Sequence, residues 1–280
     1  MSFVLRRAES RDAERCGTIR YEAFRAIATA HGFAPDFPAP EIAIGLVGML
    51  IAHPGFYGVV AERGSNFLDE RSLIPGIGPI TVDPTAQDHA VGRALMDDVL
   101  ARVAARGAPG VRLVQSAYHN RSLSLYTKLG FDAREPLSTM QGRPLGLSIP
   151  GYPVRAATDA DVDACNAVCL RVHGHDRGGE LRDAVRQGTA TVVEHEGRIT
   201  GYATSVAFFG HAVGESNAEL RAVIGAAPAF AGPGFLLPTR NAELFRWCLA
   251  RGLRVVQPMT LMSRGLYNEP AGAFLPSIAY

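Results

Sequence analysis

The chain has 280 residues, 47% hydrophobic and 20% charged, and its 28 basic residues almost cancel 27 acidic ones. This composition excludes a disordered or supercharged chain and supplies ample material for a buried core. The charge balance argues against a net pull toward nucleic acid or an anionic membrane but is compatible with a small anionic ligand. The length points to two domains, and 30 glycines with 18 prolines to many turns. Cys16, Cys165, Cys169 and Cys248 form no CxxC pair, so no zinc framework is expected. The i, i+4 pair Cys165 and Cys169 reads as apolar filler, and a reducing, cytoplasmic setting fits best. The N-terminal MSFVLRRAESRD has no apolar leader region. The longest apolar run, residues 42–52, is too short to span a membrane and predicts a buried helix.

In chain order, Phe3, Val4 and Leu5 predict a strand. Ser10 then caps a helix carrying Cys16, Ile19, Ala23 and Ile27 at helical spacing and ending near Gly32. A proline-marked loop, 34–40, leads to a helix over 41–52. Strands follow at 56–62 and 66–71, joined by the turn Arg63-Gly64-Ser65, and another at 77–82. A loop enters a helix over 91–106, on which Val91, Leu95, Val99 and Val103 make a core stripe. A strand at 111–116 and a helix over 121–129 close this half, before a further strand. Residues 142–153, rich in Gly and Pro, are the best linker.

Beyond it the pattern restarts. Val154-Arg155-Ala156-Ala157 followed by Thr158-Asp159-Ala160-Asp161 echoes the first strand and capped helix. Two helices, a strand at 189–195, the turn Glu196-Gly197-Arg198 and a strand at 199–207 continue the echo, so the chain reads as a diverged duplication. His173-Gly174-His175-Asp176 is incomplete as a metal site and is assigned to substrate recognition.

The chemistry is concentrated in Ile80-Thr81-Val82, then Gln87-Asp88-His89-Ala90-Val91-Gly92-Arg93-Ala94. A strand stops at Asp83-Pro84, and a small-residue loop enters a helix whose first N–H groups suit a phosphate. About 30 residues on comes Asn120, a helix carrying Tyr126, and Leu129-Gly130-Phe131. Together the two segments resemble the pyrophosphate loop, Gln/Arg-x-x-Gly-x-Gly/Ala, and the second signature of the GCN5-related N-acetyltransferase (GNAT) superfamily, over roughly residues 3–140.

The resemblance implies an α/β (α+β) chain of two tandem GNAT-like domains, each a mixed, mostly antiparallel twisted sheet flanked by helices. Residues 1–145 would be the acetyl-CoA-binding catalytic domain and 151–280 a degenerate copy that shapes the substrate site. It implies direct acetyl transfer from acetyl-CoA to a primary amine of a small molecule or peptide, with no metal. A non-catalytic acyl-CoA sensor is the alternative. Backbone groups of Ile80, Thr81 and Val82 would pair with the pantetheine arm, and N–H groups from His89 to Ala94, past Gln87 and Asp88, would hold the pyrophosphate. Tyr126 matches the general acid and Asn120 a residue that binds the cofactor arm or a water. Ala90 replaces the first loop glycine, which predicts weaker cofactor binding or a redrawn loop. The general base is open among Asp69, Glu70, Asp83, Ser116, His119 and a water chain. In the second half, 214–220 offers no phosphate nest, and Trp247 follows Asn241 where Tyr126 follows Asn120. The loop at 34–40 and the tail at 269–280 are expected to border the acceptor pocket. No nucleic acid or membrane partner is expected, and a homodimer is left open.

Overall fold

The computed structural model describes residues 4–86 and 90–279, and the expectations for Phe3, Gln87, Asp88 and His89 lie outside them. The first half runs β1 (Arg6–Arg7), α1 (Ala13–Ala30), α2 (Pro40–Ala52), β2 (Phe56–Ala61), β3 (Gly64–Asp69), β4 (Gly76–Ile77) and β5 (Thr81–Val82). It continues with α3 (Val91–Ala105), β6 (Gly110–Ser116), α4 (Asn120–Lys128) and β7 (Asp132–Gln141). The stripe expected on α3 is its buried face: Val91, Leu95, Val99 and Val103 all lie in the core. Gly17 lets α2 ride directly on α1, because a Cβ there would collide with the Ile44 backbone. The expectation that α2 is buried holds for one face only. Ala43, Val47 and Leu50 point inward, while Ile42 and Met49 are exposed.

Two expectations change. The predicted strand 77–82 splits into β4 and β5, since Pro79 has no N–H to give a ladder. Ser10 is not the cap but the first residue of a 3-10 turn, Ser10–Asp12, that is capped by Glu9 and leads into α1: the carboxylate of Asp12 accepts the Glu9 N–H at 2.9 Å and takes both guanidinium arms of Arg6 at 2.7 and 2.6 Å.

The second half repeats that device. Arg155 in β8 (Val154–Ala156) grips Asp161 at 2.8 Å, and Thr158 and Asp161 form the capping box leading to α5 (Val162–His173). An arginine on the first strand thus holds an aspartate six residues on in both halves, so the repeat extends to individual side chains. Then come α6 (Gly178–Arg186), β9 (Thr191–His195), β10 (Arg198–Ala203), β11 (Ala212–Gly214), α7 (Asn217–Ala226), β12 (Phe235–Pro238), α8 (Ala242–Ala250), β13 (Arg254–Gly265) and β14 (Ala273–Leu275). Cys165 and Cys169 are buried free thiols in the α5 core. The strand expected over 199–207 ends at Ala203, because the Thr204 N–H and hydroxyl both bond back to His211 and turn the chain into a loop.

Among the described residues, one sheet has nine strands in the order β1-β2-β3-β4-β6-β13-β7-β12, with β5 on β3, and the other has the order β14-β11-β10-β9-β8. All the ladders are antiparallel except the β4–β6 pair at Gly76↔Arg112. The halves are interleaved: β13 lies between β6 and β7, with Met259 opposite both Ser116 and Leu137, and β7 lies between β13 and β12. No helix among the described residues is long and apolar enough to cross a membrane.

A buried polar network also joins the halves. Asp183 of α6 accepts from Arg71 at 2.8 Å and lies 3.2 Å from His53, while Glu180 pairs with Arg177 at 2.5 Å and His211 at 3.1 Å. His173 and His175 are buried beside it and do not line the cleft described below, so the assignment of residues 173–176 to substrate recognition gives way to a packing role. Burial, reinforced by Arg112 and Arg177, pushes His175 down to about 4 and His173 lower than its ordinary value; burial also lowers His211. These histidines are neutral when folded, whereas unfolded ones charge below about 6.5. Their contribution to stability is therefore complete above pH 6.5 and declines as pH falls toward 4. Thermal melts between pH 7.5 and 4.5 should show a falling Tm, and His175→Gln should flatten the slope.

Candidate functional site

The parallel contact between β4 and β6 lasts for one residue pair, after which the strands diverge. β5 stays with β3 through Ser65↔Thr81, while residues 113–116 of β6 continue along β13. A cleft of about 590 Å³ opens between them. Ile80, Thr81 and Val82 form one wall, and β6 and α4 the other.

At one end of the cleft lies the start of α3. Ala90 adopts φ 61°, the left-handed conformation natural to glycine, at a cost of about 1–2 kcal/mol for alanine. Val91, Gly92 and Arg93 follow on the cleft wall. Their N–H groups belong to the first helical turn, which has no intrahelical acceptors. The Ala94 N–H already donates to the Ala90 carbonyl at 3.0 Å, which removes it from the expected set. A Cβ on Gly92 would stand 3.6 Å from Val82 and 3.7 Å from Leu125, in the throat between the walls. Arg93, Arg121 and Lys128 also line this region, with Arg93 lying 3.5 Å from Asp97.

Tyr126 is buried against Phe131 and lines the cleft. Burial pushes its phenol up to about 12, partly opposed by a hydrogen bond with Ser122, so it remains protonated at neutral pH. Asn120 does not reach this site. It is exposed at the first turn of α4, outside the cleft lining, and its carbonyl accepts from Ser124.

The candidate bases separate clearly. Asp69 is held by Arg71 at 2.5 Å, Glu70 by Arg102 at 2.8 Å, and Asp83 is turned onto Thr85 at 2.7 Å; none lines the cleft. His119 lines it, but its Nδ1 accepts the Ser122 N–H at 3.2 Å, so the neutral ring carries its proton on Nε2 and presents a donor. Burial lowers its affinity for a second proton. Ser116 also lines the cleft.

The other end joins both halves. Asp36 and Phe37 come from the 34–40 loop, Met259 from β13, Phe208 and Phe209 from the loop after β10, and Ile278 and Ala279 from the tail. The Ile278 N–H donates to the Phe208 carbonyl at 2.9 Å, tying tail to loop. Asp36 accepts from Gln257 Nε2 at 3.2 Å; burial raises its pKa, and the Gln257 bond and the charge of Arg20 oppose the rise. Arg20 of α1 completes this end. Arg20 is not among the residues expected from sequence, and Asp36 is covered only as part of the 34–40 loop. The available signal was a lone arginine in register with the apolar stripe Cys16, Ala23 and Ile27, and a lone acid between Pro35 and Phe37.

Residues 8–131 match the family model Acetyltransferase (GNAT) family. Residues 8–131 therefore form a GNAT acetyltransferase domain. The structure is similar over its length to a candidate acetyltransferase of Pyrococcus horikoshii (17% identity, 97% of this chain and 94% of that one, TM-score 0.74). It is also similar to a GCN5-related N-acetyltransferase of Sphaerobacter thermophilus (17%, 95% and 96%, TM-score 0.59) and to a tandem GNAT protein of the clavulanic acid biosynthesis pathway (12%, 94% and 98%, TM-score 0.53). At these identities the likeness shows a shared tandem fold. No curated protein matches the sequence.

Where the first half keeps an open gap, the second half is filled. β14 pairs with β11 through Val213↔Phe274 and packs beside β12. The start of α7 is closed by its own carboxylate, with Glu219 accepting the Ser216 N–H at 2.9 Å and hydroxyl at 2.7 Å. Ala90→Gly should raise stability to chemical denaturation by about 1 kcal/mol by removing the left-handed alanine. Gly92→Glu, which fills the throat beside Val82 and Leu125, should leave Tm within a few degrees of wild type and abolish acetyl-CoA binding by calorimetry.

Proposed function

We propose that the chain transfers the acetyl group of acetyl-CoA directly to a primary amine, using the first half's cleft. GNAT membership carries acyl-CoA-dependent N-acetyl transfer in general. The observation supporting this reading most strongly is the divergence of β5 from β6, which leaves an extended groove beside the β5 edge, with the α3 terminus at one end and buried Tyr126 along it.

In this reading the pantetheine arm adds to the β5 edge as an extra strand would, and the first turn of α3 takes the pyrophosphate. The amine enters from the end formed by Asp36 and the second half's Phe208 and Phe209. Asp36 holds the ammonium and draws off a proton, directly or through water. The amine attacks the thioester carbonyl, and Tyr126 gives its proton to the departing thiolate. A phenol kept protonated by burial suits that step. Ser116, on the cleft wall, is available to order a water, whereas His119 contributes a donor.

The second half serves by supplying the acceptor end and not by binding a second acetyl-CoA, because β14 and Glu219 occupy the positions a cofactor would need. Calorimetry should therefore give one acetyl-CoA per chain. Tyr126→Phe retains the ring packed on Phe131 and should lower kcat by about 10²-fold or more with little change in Tm or acetyl-CoA affinity. Equal thiol release by the variant and wild type across amines would remove Tyr126 from the mechanism. One-to-one binding with no release on any amine would instead support an acyl-CoA sensor.

A further inference from the structure

We infer that the acceptor is a small zwitterion, an amine that also bears a carboxylate on an apolar body, and that Arg20 is the group that selects it. The inference deepens the acetyltransferase reading and rests on it for the identity of the reacting end. Arg20 is 3% exposed and lines the acceptor end of the cleft. Its Nε and Nη1 have no hydrogen-bond partner among the described residues. Its guanidinium lies over aromatic faces, 4.8 Å from the Phe37 centroid and 5.8 Å from those of Phe24 and Phe209.

A buried guanidinium ordinarily finds an acid, because an unpaired charge away from water is costly. Here the aromatic faces support the cation without using its N–H groups, and Asp36 acts on it through space while bonding to Gln257. The fork is left for a planar anion that arrives with the ligand, and its shape matches a carboxylate. The Gln115 side-chain amide is a second buried group on the cleft wall with neither oxygen nor nitrogen bonded among the described residues. The site therefore presents one cation and one carboxylate among Phe24, Phe37, Phe209 and Met259. A ligand of opposite charge pattern with an apolar body complements all of these features. An amine lacking the carboxylate would leave Arg20 orphaned.

Matched pairs test this. Turnover with acetyl-CoA would be measured for L-phenylalanine, β-phenyl-β-alanine and para-(aminomethyl)benzoate against their decarboxylated counterparts phenethylamine, α-methylbenzylamine and benzylamine. Acceptor binding and acetyl-CoA binding would each be followed by calorimetry. At least one carboxylated member should exceed its partner by about tenfold or more in kcat/KM and in affinity. That ratio should collapse toward one in Arg20→Met and be only partly retained in Arg20→Lys, which keeps the charge but loses the fork. Because the Arg20 Nε and Nη1 have no hydrogen-bond partner among the described residues, Arg20→Met should hold or raise Tm, whereas a structural stacking role would lower it. Equal values within every pair, no activity or binding with any carboxylated member, or a ratio surviving in Arg20→Met would each overturn the inference. Loss of acetyl-CoA binding alone would overturn the acetyltransferase reading and leave the acceptor-binding arm to decide the role of Arg20.

Discussion

The arrangement of this molecule depends on the insertion of β13 between β6 and β7. A ladder of that length sets the orientation of the two halves residue by residue. It also makes β6, a wall of the cleft, the direct neighbour of a strand from the other end of the chain. Gln257 at the start of that strand orients Asp36, and Met259 lines the same cavity. That end of the cleft is therefore a product of the strand exchange, and the second half contributes to the cleft by its position and shape.

Duplication followed by divergence gives the same framework two outcomes. In one half the gap beside β5 stays open and the first turn of α3 borders the cleft. In the other, the chain supplies a strand and a carboxylate of its own at the corresponding places. Both copies keep the Arg–Asp clasp between first strand and first helix, because that contact maintains the fold regardless of whether a ligand binds.

What could be read in the sequence was local. The α3 stripe, the paired clasp segments, the α3 entry and the Tyr126 helix each depend on residues within one or two turns of one another. Ile80, Thr81, Val82, Gly92 and Tyr126 accordingly line the cleft, and the 34–40 loop and the tail reach its rim. Asn120 did not follow, since its position at the first turn of α4 leaves its side chain in solvent. Arg20 was missed, and Asp36 was not singled out within its loop, because an arginine on an amphipathic helix and an acid in a loop are ordinary surface residues until tertiary packing encloses them. The interleaved strands were hidden for the same reason: periodicity identifies a strand but not its neighbour.

The position of β13 near the end of the chain also governs the order of assembly on the ribosome. β6 and β7 emerge more than a hundred residues before the strand that separates them. Until residues 254–265 are synthesised, each presents an unpaired edge, and the two can join each other in a ladder that must be undone. Native assembly of the first half thus waits for residues 254–265, and a chain cut short before residue 254 would lose the centre of its larger sheet.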